Sequence, residues 1–237
     1  MHEEHGVNLL HYIPFLRDIP NHVAMTLVVG LILFVTTWIA RVQVIAVMKS
    51  PGGGLIPDDK LTYRNFFEIF AEVLYAFVEK GVGHHNAAVY FPFIGSLFIF
   101  IFVSNLIGLI PGLAPSTDNL NATLALGTFV FFYYNYAGLK AHGLSYFKHF
   151  LGPVWFIAPL MLVIEIVSHI FRPISLAFRL RGNIMGDHIV LQVFSGLVPY
   201  LLPVVFYGLG VFVAFMQAFV FCLMTMVYIS LSTSHDH

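Results

Sequence analysis

Pro173-Ile-Ser-Leu-Ala-Phe-Arg-Leu-Arg-Gly-Asn-Ile-Met-Gly-Asp-His188 sets a guanidinium, Arg179, inside a stretch that is otherwise apolar. Arginine cannot shed its proton, and even lenient insertion scales charge about 2.5–3.5 kcal/mol for it at a bilayer centre. A charge kept at that cost marks an ion or substrate path whose partner lies nearby or on another subunit. The polar residues around it are not scattered. At about 100° per residue, Glu165, Ser168, Arg172, Ser175 and Asn183 fall within about 40° of Arg179, which makes one polar stripe on an apolar helix. Arg181 points the other way, where it is expected to snorkel to a headgroup or to pair with Asp187 or a neighbouring subunit.

The whole chain reads the same way. Of its 237 residues 59% are hydrophobic and 10% charged, which fits an integral membrane protein and excludes a water-soluble domain. The lone Cys222 rules out a disulfide within the chain. Met1-His-Glu-Glu-His-Gly lacks a positive n-region, and no small-residue cleavage pattern follows the first apolar run, so that run is expected to stay as a membrane helix. Residues 1–22 form an amino-terminal segment and 23–48 a first span, whose segment Val23–Val47 is about 37 Å long as a helix, closed by Arg41, Lys49 and the Pro51-Gly-Gly-Gly54 breaker. Over 63–80, Glu68, Glu72 and Glu79 alternate with Phe66, Phe67, Phe70, Leu74 and Phe77, the pattern of an amphipathic helix on the membrane surface or against a partner. Residues 90–139 make a hairpin of two spans, Tyr90–Ile110 and Leu120–Leu139. Over 154–231, Val154–Leu197 and Pro199–Leu231 would reach about 65 and about 50 Å as single helices, so they tilt steeply or break at Pro173 or Gly182. The expected fold is one all-α membrane domain with five transmembrane helices, one interfacial helix and the last two helices long and steeply tilted.

Basic residues orient it. Arg41, Lys49, Lys60, Arg64 and Lys80, and again Lys140 and Lys148, flank one side, whereas 111–119 and 196–200 hold neither Lys nor Arg. The positive-inside rule then places the amino terminus outside and the carboxyl terminus in the cytoplasm.

Asp187 and His188 follow Arg179 and suit a water-filled entry path, or else a satisfied pair holding two helices together. Gln217 is a neutral polar group among apolar neighbours, placed for a helix–helix hydrogen bond and for the same path. The histidines His2, His5, His11, His22, the loop pair His84-His85, and His235 with His237 lack zinc spacing and read as solvated surface. No metal, cofactor or catalytic motif is present in the sequence, and no basic cluster suggests nucleic acid.

Ser104-Asn-Leu-Ile-Gly-Leu-Ile-Pro111, Asp118-Asn-Leu-Asn-Ala-Thr-Leu-Ala-Leu126, the Arg179-Leu-Arg-Gly-Asn183 core, Gln217-Ala-Phe-Val-Phe221 and Tyr228-Ile-Ser-Leu231 together resemble subunit a of the membrane sector of rotary F-type ATP synthases. The resemblance implies a stator in a bacterial inner membrane, pressed by two long helices against a rotating ring of subunit c, with peripheral-stalk subunit b and membrane lipid as further partners and ATP chemistry on other subunits. Arg179 matches the family's essential arginine, which faces the ring's passing carboxylate and blocks direct flow between two offset half-channels. His188 and Gln217, with Asp187 beside them, match the outer half-channel; Glu165, Ser168, Ser175 and Asn183 match the inner path and the arginine's surroundings. Arg181 stands where the motif commonly has Phe, and His188 where many members have Glu. Proton coupling is expected. The rivals are a sodium-coupled version, whose choice rests with the ring; a secondary transporter, which would normally supply both charges of its site or show paired repeats; and a scaffold, which leaves the stripe unexplained.

Overall fold

The computed structural model describes residues 20–48, 63–110, 113, 115–143, 158–197 and 201–233. The expectations for residues 1–19, for the basic loop with Lys49, Lys60 and the Pro51-Gly-Gly-Gly54 breaker, for Lys148, and for His235 and His237 fall outside the described residues, as do the side chains of Arg64, His85, Asp187 and His188. Among the described residues six helices follow one another: α1 (Asn21–Met48), α2 (Tyr63–Val82), α3 (His84–Gly108), α4 (Leu120–His142), α5 (Ala158–Leu197) and α6 (Leu201–Thr233), with a 3-10 turn at Ser116–Asp118 before α4. Among the described residues there is no strand.

Among the described residues four stretches are long and apolar enough to cross a membrane: Asn21–Ala46, Asn86–Gly108, Leu160–Gly186 and Val205–Thr233. The fifth expected span, α4, has the length, about 35 Å for its 23 residues. It is less apolar because Tyr133, Tyr134, Asn135 and Tyr136 cluster in its second half. Asn135 and Tyr134 turn to α5 rather than to lipid, which is how polar groups persist at membrane depth.

Within the described residues each of the two long stretches is one continuous helix. α5 runs for 40 residues with Pro173 inside it, and α6 for 33. At about 60 and about 50 Å they exceed a hydrocarbon core of about 30 Å. Pro173 removes one helical hydrogen bond without ending α5, which membrane helices tolerate when neighbours brace the site. The hairpin begins earlier than the sequence suggests. Gly83, at φ 88, separates α2 from α3, and His84 lies in the first turn of α3 rather than in a loop, exposed and paired with Glu79.

α2 packs within the chain. Leu74, Val78 and Val82 are buried in the core that it shares with α3, α4, α5 and α6, while Phe66, Ile69 and Val73 stay exposed. That core is filled by Ile94, Ile101, Val130, Tyr134, Leu180, Met226 and Ile229. Since lipid is as apolar as leucine, such contacts stabilise by close packing and buried hydrogen bonds more than by exclusion of water. Gly127 of α4 shows how close: a Cβ there would stand 2.6 Å from the Pro173 carbonyl oxygen of α5. The turn before α4 is pinned by side chains. Ser104 and Ser116 share a hydrogen bond of 2.5 Å, Thr117 donates to Asn105 at 2.8 Å, and Asn119 caps α4 by accepting from the Asn121 N–H at 2.9 Å. α1 touches the rest mainly near its start, through Ala24, Met25 and Val28 against Ile107 and Leu113, and leaves Leu31, Phe34 and Trp38 exposed.

Candidate functional site

α5 carries its polar stripe on the border between a packed face and an open one. Leu176, Ala177, Leu180 and Ile184 are buried, whereas Ser168, Ser175, Phe178, Arg179, Gly182 and Asn183 are exposed. The periodicity that aligns the stripe thus also aims it outward. Among the described residues no side chain pairs with the Arg179 guanidinium; the chain holds its backbone instead.

The holder is Gln217 of α6, only 6% exposed. Its Nε2 donates to the Leu180 carbonyl at 2.7 Å and to that of Arg179 at 3.4 Å, while its Oε1 accepts from Asn183 Nδ2 at 2.7 Å. Ala214 and Ala218, both buried, keep α6 slim on either side. One amide therefore meets the backbone at Arg179 and the next polar residue of the stripe. The helix–helix bond expected of Gln217 is present, and it is made at the arginine itself.

The other charges of the stripe are paired. Arg172 donates to Glu165 at 3.3 Å and lies 5.4 Å from the Tyr228 ring centroid on α6, a cation–π distance. Glu165 is thus engaged by Arg172, which leaves Arg179 as the stripe's uncompensated charge among the described residues. Ser168 and Ser175 are exposed on the same face, and an added Cβ at Gly182 or Gly186 meets nothing within 4 Å. Small side chains around an exposed arginine leave room for another helix to approach its backbone.

Two cavities meet at Gln217. One of about 110 Å³ is lined by Arg179, Asn183, Met216, Gln217 and Val220. The other, about 60 Å³, is lined by Asn105, Pro115, Ile184, Gly210 and Gln217 and leads toward the Ser116–Asp118 turn. Asn105 is buried, and its Nδ2 has no hydrogen-bond partner among the described residues, a donor that calls for one.

Of the expected site residues, Arg179, Asn183 and Gln217 come together, Glu165 pairs with Arg172, and Ser168 and Ser175 sit on the shared open face. Asp187 and His188 lie on the α5 backbone about 80° and about 180° around from Arg179, and their side chains are outside the described residues, with Arg181's expected pairing to Asp187. Asn105, His169, Asn135 and Tyr134 are polar groups of the site region that the sequence pattern does not single out. Each is a polar group within an apolar helix, which is a signal, but its partner lies on another element: the Ser116–Asp118 turn for Asn105, and the facing helix for the α4–α5 group.

Residues 44–230 match the family model described as ATP synthase A chain. ATP synthase subunit a of Bdellovibrio bacteriovorus is 48% identical over 184 residues, covering 77% of this chain and 80% of that one. ATP synthase subunit a 2 of Syntrophotalea carbinolica is 43% identical over 203 residues, 85% of each chain. The Geobacter sulfurreducens subunit a is 46% identical over 174 residues, 73% of this chain and 76% of that one. The chain belongs to the ATP synthase A chain family.

Proposed function

We propose that this multi-pass membrane protein is the proton-translocating stator of an F-type ATP synthase, working against a ring of subunit c and anchored with peripheral-stalk subunit b in a bacterial inner membrane. The observation that carries the proposal is Arg179: exposed beside small residues, without a counter-charge among the described residues, and with its backbone clamped by Gln217. A fixed cation in low dielectric attracts a carboxylate and lowers its affinity for a proton. A ring carboxylate arriving at Arg179 therefore gives up its proton on one side and is reprotonated only after leaving it. Arg179 also repels a free cation, so protons cannot slip along the stripe without the ring.

The outer route runs past Asp187 and His188 and through the cavity at Asn105 to Gln217; the Asn105 Nδ2, without a partner among the described residues, and the shared wall at Gln217 support that course. The inner route follows Ser175, Ser168 and the Glu165 carboxylate that Arg172 keeps in place. A free-standing transporter is disfavoured because Glu165, the stripe's own carboxylate, is engaged by Arg172.

ATP-driven acidification of inverted vesicles tests the proposal. The parent complex should acidify and Arg179→Ala should not, with equal amounts of assembled complex; acidification by Arg179→Ala would sink the role assigned to the arginine. A parent that responds to sodium in place of potassium with a protonophore present would be sodium-coupled.

A further inference from the structure

We propose that His169 is a positioning residue: bonded to Asn135 and Tyr134 of α4, it fixes the rotation of α5 about its axis so that Arg179 faces the ring. The inference rests on the stator function proposed above. His169 is 8% exposed, and both of its ring nitrogens meet α4. The direction of each bond follows from a backbone group. Asn135 Nδ2 donates to the Phe131 carbonyl at 2.7 Å, so its Oδ1 is the atom left to face His169 Nε2 at 2.8 Å, and Nε2 must carry the hydrogen. Nδ1 of the neutral ring is then an acceptor, and the Tyr134 hydroxyl, 3.5 Å away, donates to it. Phe131 and Tyr134 meet the imidazole edge-on at 5.0 and 5.3 Å between centroids, so the ring is held in its plane as well as at its ends.

This bond lies where α5 most needs a brace. Pro173 has no N–H to donate to the His169 carbonyl four residues earlier, so the helix is weakened across this turn. Beside it, the Pro173 carbonyl rests against Gly127 of α4. Without a side-chain bond, a helix that meets a glycine can slide or turn there. Gln217 pins α5 at Leu180 from α6, and His169 pins it from α4 about 17 Å further along the axis. Two pins on two neighbours fix both the height and the rotation of the helix; one fixes neither fully. The cluster closes on α6 as well, because Tyr134 meets Tyr228 at 5.8 Å and Tyr228 lies under Arg172, the partner of Glu165. With side chains extending about 5–6 Å from the axis, a turn of α5 by about 20° moves their tips about 2 Å, and a misplacement of 1 Å at a reacting group costs on the order of 10²-fold in rate.

The test compares His169→Leu, Asn135→Leu, the double Leu variant and His169→Gln in the intact ATP synthase in inverted vesicles, reading proton pumping per ATP hydrolysed at equal assembled complex. His169→Leu should lower that ratio at least threefold, and His169→Gln, whose amide still donates to Asn135, should keep more than half of it. The double Leu variant leaves no buried polar group unpaired at this bond, so it should restore assembly but not coupling. Full coupling in His169→Leu, or recovery of coupling with assembly in the double variant, would reduce His169 to a packing residue and overturn the inference. Should the Leu variants fail to assemble, His169→Gln decides: an assembled but uncoupled complex overturns it, and a coupled one supports it. Arg179→Ala runs alongside. If that variant still pumps, the stator function fails, whatever His169 shows.

Discussion

Gly127→Ala is the smallest change expected to disturb the site from a distance. A β-carbon there would lie 2.6 Å from the Pro173 carbonyl oxygen, against about 3.3 Å for the closest ordinary carbon–oxygen contacts, so α4 and α5 must separate by about 0.7 Å. The blocking atom belongs to the backbone, which cannot rotate aside as a side chain does. In an open helix the same substitution stabilises by about 0.8–1 kcal/mol, because alanine loses less backbone freedom than glycine. Overpacking by a methyl costs about 1–3 kcal/mol. Gly30→Ala is the matched control, since a Cβ there meets nothing within 4 Å. Gly127→Ala should therefore be about 1–3 kcal/mol less stable than Gly30→Ala, read as the difference in denaturant resistance of the membrane-extracted complex. It should also pump fewer protons per ATP, because the displaced turn lies only about 9 Å along α5 from Arg179. Equal resistance and equal pumping in the two variants would refute the close approach of α4 and α5 as the support of the site.

Other expectations concern the site itself. Gln217→Leu removes the donor to Leu180 and leaves the Asn183 amide without its partner, so pumping should fall at least tenfold while the complex still assembles, measured by ATP-driven quenching of a pH-sensitive dye. Gly182→Leu should leave the stability of the isolated chain unchanged, since nothing lies within 4 Å of a Cβ there, yet stop ATP-driven rotation by filling the space proposed for the ring; rotation at the parental rate would argue against a ring on this face. His188→Ala should slow proton entry from the outer side more than it lowers the amount of assembled complex, read by proton uptake at varied outer pH. A loss of assembly alone would make His188 a structural partner.

What the sequence discloses and what it conceals divide along a physical line. A face of a helix is a local property, set by residues three and four apart, so the stripe from Glu165 to Asn183 was legible from spacing alone. A neighbour is not local. His169 and Asn135 each look like an isolated polar residue in an apolar run, and only the packing of α4 against α5 makes them a bond. Gly127 carries no signal beyond its size, and its importance comes from the carbonyl opposite. α3 starts at His84, ahead of the apolar run that begins at Tyr90, because a first helical turn accepts polar side chains readily. The sequence does not decide the continuity of α5 through Pro173, for a similar reason. Proline's cost to a helix is fixed by chemistry, but whether the helix survives depends on what braces it, here Gly127 on one side and the His169 bonds one turn away.

The same division explains how a costly charge is retained. Burying Arg179 with a carboxylate of its own would compensate it permanently and leave nothing for a moving partner to offer. Leaving it on a loosely held helix would let it snorkel toward water, as long cationic side chains do. α5 resolves the conflict by its two faces. Leu176, Leu180 and Ile184 anchor one, and Gln217 engages the backbone carbonyls at Arg179 and Leu180 rather than the guanidinium, so the arginine is positioned without being neutralised. Arg172, two turns away, illustrates the opposite state: with Glu165 and the Tyr228 ring it is satisfied within the chain. Exchanging those states should be informative. A carboxylate introduced as Ser175→Glu, one turn before Arg179 on the same open face, would give the arginine an internal partner, and pumping should be lost with assembly intact. Pumping that survives Ser175→Glu would mean that the arginine does not need to be uncompensated to do its work.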